Sequence, residues 1–398
     1  MTDAQDSRRS ADQTAESPSP YAERPFIVIW EVTRACALRC VHCRAEAQYA
    51  RDPRELNTEE SMRLIDDVAA LGSPLFVLTG GDPLMRPDLF ELAAYAAKSK
   101  GLRVALTPSA TPKVTREAVR RAKEAGIARW AFSLDGSRAD IHDRFRGMNG
   151  SFDMTMRGIS YLRDEQIPLQ INTTVSRHNL SDLEAIAERV GEAGAVLWSV
   201  FFLVPTGRAA KEDMISAEEH EEVMRWMSRS EPHWPFGVKA TEAPHYRRVL
   251  IQAGSGRRFQ GDDAPFGDTD GASGGKTNGA PAHRLSGRPI AERADRIGRA
   301  LRPVNDGDGL VFISHIGEVY PSGFLPVVCG NVREQPLSSI YRESPVMRAL
   351  RDKSLLKGKC GVCEFRGVCG GSRARAFALT GDYLESDPAC AYTPGSRT

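Results

Sequence analysis

The sequence has no surplus of either charge. Its 398 residues carry 53 Lys and Arg against 52 Asp and Glu, a formal net charge of +1. Such a surface lacks the basic field that draws nucleic acid and the acidic tail that suits a basic partner. Long apolar runs are missing too: none approaches the ~18 residues that span a bilayer. Residues 1–20 are polar and rich in Ser, Asp and Gln, without the apolar stretch of a secretory signal. The expectation is a cytoplasmic protein that binds neither nucleic acid nor membrane, with residues 1–24 as a disordered leader. Residues 253–289 are poor in apolar side chains and full of Gly and Asp. That composition cannot bury a core, so a flexible insertion is expected there.

What the chain does have is clustered cysteine. Of its eight Cys, three are Cys36, Cys40 and Cys43, four are Cys360, Cys363, Cys369 and Cys390, and Cys329 stands apart. Clustered Cys outside an oxidising compartment are metal or redox ligands more often than disulfides. The first group has the spacing C-x3-C-x2-C. Three thiolates can hold three irons of a cubane and leave the fourth iron open. Spacing alone also allows a zinc site with His42 as fourth ligand. The second group has the spacing C-x2-C-x5-C-x20-C, and four thiolates close either an iron–sulfur cluster or a zinc site. Cys329 is expected to be a small buried hydrophobe.

Between the two groups, β-rich runs alternate with amphipathic helical stretches. Strands are expected at 26–32, 75–79, 103–106, 130–134, 169–175 and 196–203. One helix should start after Asn57, with Asn57 and Glu60 as a reciprocal cap. Others should follow Pro87, Thr115, Phe152 and Ser181. Six strand–helix units imply a parallel sheet with helices outside. Small polar residues fall at the end of each strand: the cysteines after the first, Gly80-Gly81-Asp82-Pro83 after the second, Thr107-Pro108-Ser109 after the third. Ser133-Leu134-Asp135-Gly136 closes the fourth strand, Asn172 lies in the fifth, and Pro205-Thr206-Gly207-Arg208 follows the sixth. In a parallel barrel all six ends share one rim, where such folds place their chemistry. Two glycines at Gly80 and Gly81 allow the backbone to approach a ligand closely. A hairpin is expected from 310–314 and 318–321, turning near Ile316-Gly317.

In combination, C-x3-C-x2-C after the first strand, GGDP after the second and SLDG at the fourth resemble the radical S-adenosylmethionine (SAM) superfamily, over about residues 26–208. The resemblance implies an α/β fold, a partial (β/α)6 TIM-like barrel over residues 25–252, with a small C-terminal cysteine-rich iron–sulfur domain over residues 290–398. It implies that Cys36, Cys40 and Cys43 hold a [4Fe-4S] cluster that reduces SAM to a 5′-deoxyadenosyl radical. Gly80, Gly81 and Asp82 match the segment that holds the SAM amino group, with Asp in place of the usual Glu. Ser133 matches a residue near the SAM carboxylate, Arg146 an arginine that pairs with it, and Asn172 a ribose contact. His42 sits where the family often has an aromatic residue beside adenine. No side chain is singled out as the group that reacts.

The segment from Cys360 to Cys390 resembles the SPASM extension of radical SAM maturases, which commonly carries two auxiliary clusters. Here Ser322 and Arg373 stand where two further Cys are expected. One auxiliary [4Fe-4S] cluster is therefore implied, on Cys360, Cys363, Cys369 and Cys390. WEVTRACALRCVHCRAEA, LTGGDPL, QINTTV and FFLVPTGRA resemble the haem-biosynthesis members, which attack propionates of an iron tetrapyrrole. Arg34, Arg44 and Arg208 are candidates to bind substrate carboxylates. An electron donor such as a flavodoxin or ferredoxin is implied as a partner. A peptide maturase, acting on a ribosomally made peptide, is the alternative. The alternative of another class is a zinc-binding module without catalysis.

Overall fold

The computed structural model describes residues 19–253 and 304–395. Seven strands run parallel in chain order: β1 (Ile27–Glu31), β2 (Leu75–Thr79), β3 (Arg103–Leu106), β4 (Arg129–Ser133), β5 (Leu169–Val175), β6 (Leu197–Phe202) and β7 (Gly237–Thr241). The C-terminal region adds β8 (Asn305–Asp306), β9 (Gly309–Ile313), β10 (Glu318–Tyr320) and β11 (Gly330–Asn331). All eleven join one sheet. β9 pairs parallel with β1 on the side away from β2, and β10 and β11 continue it antiparallel.

The expected strands all form, each within a residue of its expected ends. Their alternation explains what they present. In β5, Leu169, Ile171, Thr173 and Val175 are buried, while Gln170, Asn172 and Thr174 on the opposite face are half-buried. Period-two exposure of this kind leaves one polar face for the barrel interior and packs the other under helices. The core on the helix side is continuous and aromatic in places. Trp30 stacks on Phe76 with ring centres 6.4 Å apart, and Trp198 meets Trp226, Trp234 and Phe236 edge-on.

Local signals hold up where they are chemical. Asn57 caps helix Thr58–Ala70: its side chain accepts from the Glu60 N–H, and the Glu60 carboxylate accepts from the Asn57 N–H, both at 2.9 Å. Thr115 caps helix Arg116–Ala125. The hairpin turns at Gly317, whose φ of 87° suits glycine.

Three features go beyond the sequence reading. β7, with the sequence GVKAT, carries a parallel sheet one strand further than expected. Its Gly and Lys hide it, because only Val238 on it is buried. Helix Ala217–Ser230 leads into it, opened by a capping box of Ser216 and Glu219 that the sequence does display. Helix Ala139–Arg146 stands between SLDG and the next helix. The hairpin, expected in the smaller C-terminal region, lengthens the barrel sheet through β9. Of the expected leader, residues 1–18 lie outside the described residues. The remainder is anchored through Tyr21, which is buried and whose carbonyl accepts from the Tyr341 hydroxyl at 2.7 Å. Of the expected insertion, all but Ala253 lies outside the described residues.

Candidate active site and auxiliary metal centre

β1 ends at Glu31 and the chain leaves the sheet in the long loop that bears the first three cysteines. Backbone bonds fix that loop from outside. The Cys36 N–H donates to Gln48 O (2.7 Å) and the Val41 N–H to Phe145 O (3.1 Å). Cys36 and Cys40 are buried, Cys43 is half-buried, and the three pack together with Leu38, Ala47 and Met148. Ser109, from the loop after β3, has its hydroxyl 3.5 Å from Cys36 Sγ, and the Leu38 N–H points at the same sulfur (3.4 Å). Burial pushes the Cys40 thiol up to about 11, against the pull of the Arg146 charge. Iron loading therefore displaces protons as it binds. Three neighbouring thiols, with the Leu38 N–H directed at the first and the Ser109 hydroxyl beside it, fit a cluster with one open iron.

Gly80 and Gly81 serve this loop. The Gly81 N–H donates to Thr33 O (2.8 Å) and the Asp82 N–H to Ala35 O (2.7 Å). A Cβ on Gly81 would lie 2.5 Å from Arg34 O and 2.6 Å from Ala35 O. Gly207, at φ +62°, closes on the loop's other end, where a Cβ would be 2.5 Å from both Cys43 O and Arg44 O. The close approach expected toward a ligand is, in the structure, an approach to the cysteine loop. Asp82 is buried beside it. Its carboxylate accepts from the Leu84 N–H (3.1 Å) and the Thr111 hydroxyl (2.9 Å), and burial pushes its pKa up to about 6.

Of the other expected SAM contacts, Ser133 and Asn172 are neighbours in one row across the sheet. Ser133 is in register with Asn172, Asn172 with Ser199, and Ser199 with Lys239. Asn172 Oδ1 accepts from Gln170 Nε2 at 2.7 Å. Arg146 ends helix Ala139–Arg146 and pairs with Asp135 at 3.3 Å. The Asp135 carboxylate also accepts from the Thr174 N–H at 2.7 Å. Arg146 is close enough to the three thiols for each to raise its pKa, although burial opposes this. The His42 ring lies 4.3 Å from that of Phe145, and its buried Nδ1 has no hydrogen-bond partner among the described residues. Burial first, and the Arg146 charge second, keep His42 neutral.

The three arginines named for substrate carboxylates divide. Arg34 Nε (2.9 Å) and Arg44 Nη1 (3.1 Å) both pair with Glu31, whose carboxylate also meets His315 Nδ1 (3.1 Å). Arg208 instead braces the cysteine loop, donating to Cys40 O at 3.1 Å. Arg34 is the most open of the first pair, with 41% of its side chain exposed. Burial raises the Glu31 pKa, but His315, Arg44 and Arg34 outweigh it and hold it at about 2. Against an unfolded value of ~4.3, that depression is worth about 3 kcal/mol, present above the unfolded value and lost as pH falls through the folded one. In urea unfolding of the iron-free protein, the stability gap between wild type and Glu31→Gln should therefore narrow as pH drops from about 5 to about 2. A constant gap would show that the carboxylate charge is not what holds this cluster.

The second site is built by distant segments. Cys360, Cys363, Cys369 and Cys390 line one small pocket together with His245 and Arg248. The Gly371 N–H donates to Cys369 Sγ (3.5 Å), and Arg373 Nη2 to Cys360 Sγ (3.7 Å). Burial pushes the Cys369 thiol up to about 12. Cys390 moves the other way, because the His245 hydrogen bond and charge outweigh its burial. His245 in turn lies 3.2 Å from Asp387, which Arg375 also pairs at 3.0 Å. Four thiols, two of them facing donors, fit a fully thiolate-ligated cluster. His245 and Asp387 carry no sequence signal of their own, and although Ser109 falls in the polar turn expected after the third strand, only folding brings all three to the sulfurs. Ser322, in the place of an absent cysteine, is buried and its hydroxyl accepts from the Phe324 N–H at 3.2 Å. Cys329 is half-buried against the core.

Residues 30–190 match the Radical SAM superfamily, and residues 306–364 match SPASM, an iron-sulfur cluster-binding domain. An AdoMet-dependent heme synthase of Methanosarcina barkeri is 41% identical over 94% of this chain and 98% of its own length. The chain belongs to the radical SAM family with a SPASM extension, the family of these heme synthases. It is a radical SAM iron–sulfur enzyme, with a SAM-binding [4Fe-4S] cluster and an auxiliary cluster as its cofactors. The Fe-coproporphyrin III synthase of the same organism is 33% identical over 92% of this chain and 88% of its own length. Among solved structures, Streptococcus suis SuiB bound to S-adenosylmethionine aligns with a TM-score of 0.64, covering 93% of this chain and 78% of SuiB. At 14% identity that likeness speaks for the fold alone. No helix among the described residues is long and apolar enough to cross a membrane.

Proposed function

We propose that this enzyme decarboxylates propionate side chains of an iron tetrapyrrole. The observation that carries the reading is the near full-length identity with AdoMet-dependent heme synthases, in a chain that keeps both thiol sites. Cys36, Cys40 and Cys43 would hold the [4Fe-4S] cluster, whose chemistry when bound would be one-electron reductive cleavage of SAM to methionine and a 5′-deoxyadenosyl radical. That radical takes one β-hydrogen atom from a propionate and becomes 5′-deoxyadenosine. The substrate radical then loses CO2 and one electron, leaving a vinyl group. The electron needs an acceptor, and the site of Cys360, Cys363, Cys369 and Cys390 provides one when its single auxiliary cluster is bound.

The chain's own groups bind and orient. The turn of Gly80, Gly81 and Asp82 receives the SAM amino group, with Asp82 supplying negative charge. Ser133 and Arg146 face the SAM carboxylate, Asn172 the ribose and His42 the adenine. Arg34 offers its open guanidinium to a propionate. A reduced flavodoxin or ferredoxin serves as donor. The test is anaerobic turnover of the reconstituted enzyme with SAM, dithionite and Fe-coproporphyrin III, read by mass spectrometry. Loss of CO2 and two hydrogens per propionate, with one 5′-deoxyadenosine formed each time, is the expected result. SAM cleavage with the tetrapyrrole left intact would sink the reading and favour a peptide substrate.

A further inference from the structure

Arg373 stands where the SPASM pattern has a cysteine, and it is 1% exposed. It opens helix Arg373–Thr380 beside the auxiliary site. Its guanidinium is locked in place. Nη1 donates to Tyr383 O (3.0 Å) and Glu385 O (2.7 Å), and Nε donates to Gly371 O (3.3 Å). The remaining nitrogen, Nη2, lies 3.7 Å from Cys360 Sγ. Asp306, a buried acid at this helix end, takes the backbone N–H groups of Arg373 and Ala374 (both 3.1 Å). Among the described residues the guanidinium itself has no carboxylate partner within ion-pair distance. A buried positive charge without a directly paired carboxylate thus faces a sulfur of the auxiliary site, with Asp306 and Asp382 in its wider field. Arg247, half-buried, adds a second cation near Cys369 and donates to Val304 O at 2.6 Å and Val368 O at 3.0 Å.

Reducing a cluster adds one negative charge to it. A fixed cation and a hydrogen bond to a ligand sulfur both favour the reduced form, and a dry setting strengthens both effects. We infer that Arg373 is a positioning residue for electron transfer, raising the reduction potential of the auxiliary cluster through its charge and its hydrogen bond to Cys360. The loss of one cysteine ligand position thereby makes the remaining cluster a better electron acceptor. This rests on the proposed function only in that an acceptor is what decarboxylation requires.

The test isolates the auxiliary cluster in the full chain carrying Cys36, Cys40 and Cys43 as alanines, without substrate. Its midpoint potential is read by redox titration with EPR, alongside iron content. In Arg373→Gln the potential should shift to more negative values at unchanged iron content, with Arg373→Lys between Gln and wild type. A Gln variant with full iron and the wild-type potential overturns the inference. Should the Gln variant fail to load iron, protein with arginine in its natural sequence but labelled with ¹⁵N decides. ENDOR of the reduced cluster should show a ¹⁵N coupling that Arg373→Lys lacks, and no such difference overturns the hydrogen bond. Neither readout involves a tetrapyrrole, so a failed turnover assay and a failed potential shift are separable.

Discussion

Replacing Cys36, Cys40 and Cys43 together by alanine will abolish SAM cleavage and remove about four of about eight irons per chain after reconstitution. The auxiliary iron should stay. Its four sulfurs come from the region after β11, and its donors come from Gly371 and Arg373, all outside the loop that bears the first three cysteines. EPR of the reduced wild type should show a signal that SAM perturbs, and the triple variant should lack that signal alone. Loss of all iron would mean that the sites assemble as a unit through the shared sheet, in which β9 is bonded directly to β1. Retention of all iron would mean that the rim thiols do not hold a cluster.

The second large effect belongs to a residue that has no chemistry. Gly207→Ala places a Cβ against Cys43 O and Arg44 O, both 2.5 Å from its ideal position, at a φ of +62°. The αL strain costs about 1–2 kcal/mol and the overpacking about 1–3 kcal/mol, so a loss near 3 kcal/mol is expected. Gly194→Ala is the control, because that glycine shares a φ of +68° but has nothing within 4 Å of the added carbon. It should pay the strain alone. Urea unfolding of the iron-free proteins gives the difference directly. Iron loading at the rim site should fall in Gly207→Ala and stay whole in Gly194→Ala. Equal costs for the two would show that the loop yields, and that its fit against Gly207 is not what shapes the thiol site.

The cysteine spacing, GGDP and SLDG were legible because each packs its chemistry into a few adjacent residues. The strands were legible for a similar reason: apolar β-branched and aromatic runs are local, and so are the Asn57–Glu60 and Thr115 caps. β7 was not, because GVKAT buries only Val238 and depends on β6 for its register. Nor could the sequence say what the glycines are for. Gly80 and Gly81 read as allowing close approach to a ligand, and the structure adds that Gly81, like Gly207, also lies against the backbone of the cysteine loop. The arginines show the same limit. Arg34, Arg44 and Arg208 look alike in the sequence, yet two are paired by Glu31 and the third holds the Cys40 carbonyl.

By itself, then, the sequence determined which atoms are available as iron ligands, the parallel strand–helix order that gathers them on one rim, and the family. Those follow from residue type and short spacing, which chain connectivity preserves. Only the tertiary structure decided that Ser109 faces Cys36, that His245 and Asp387 meet at Cys390, and that Arg373 turns toward Cys360. Such pairings join segments far apart in the chain. Their energies depend on burial and on distances of a few ångströms, and those exist only once the sheet and its C-terminal extension have closed around them.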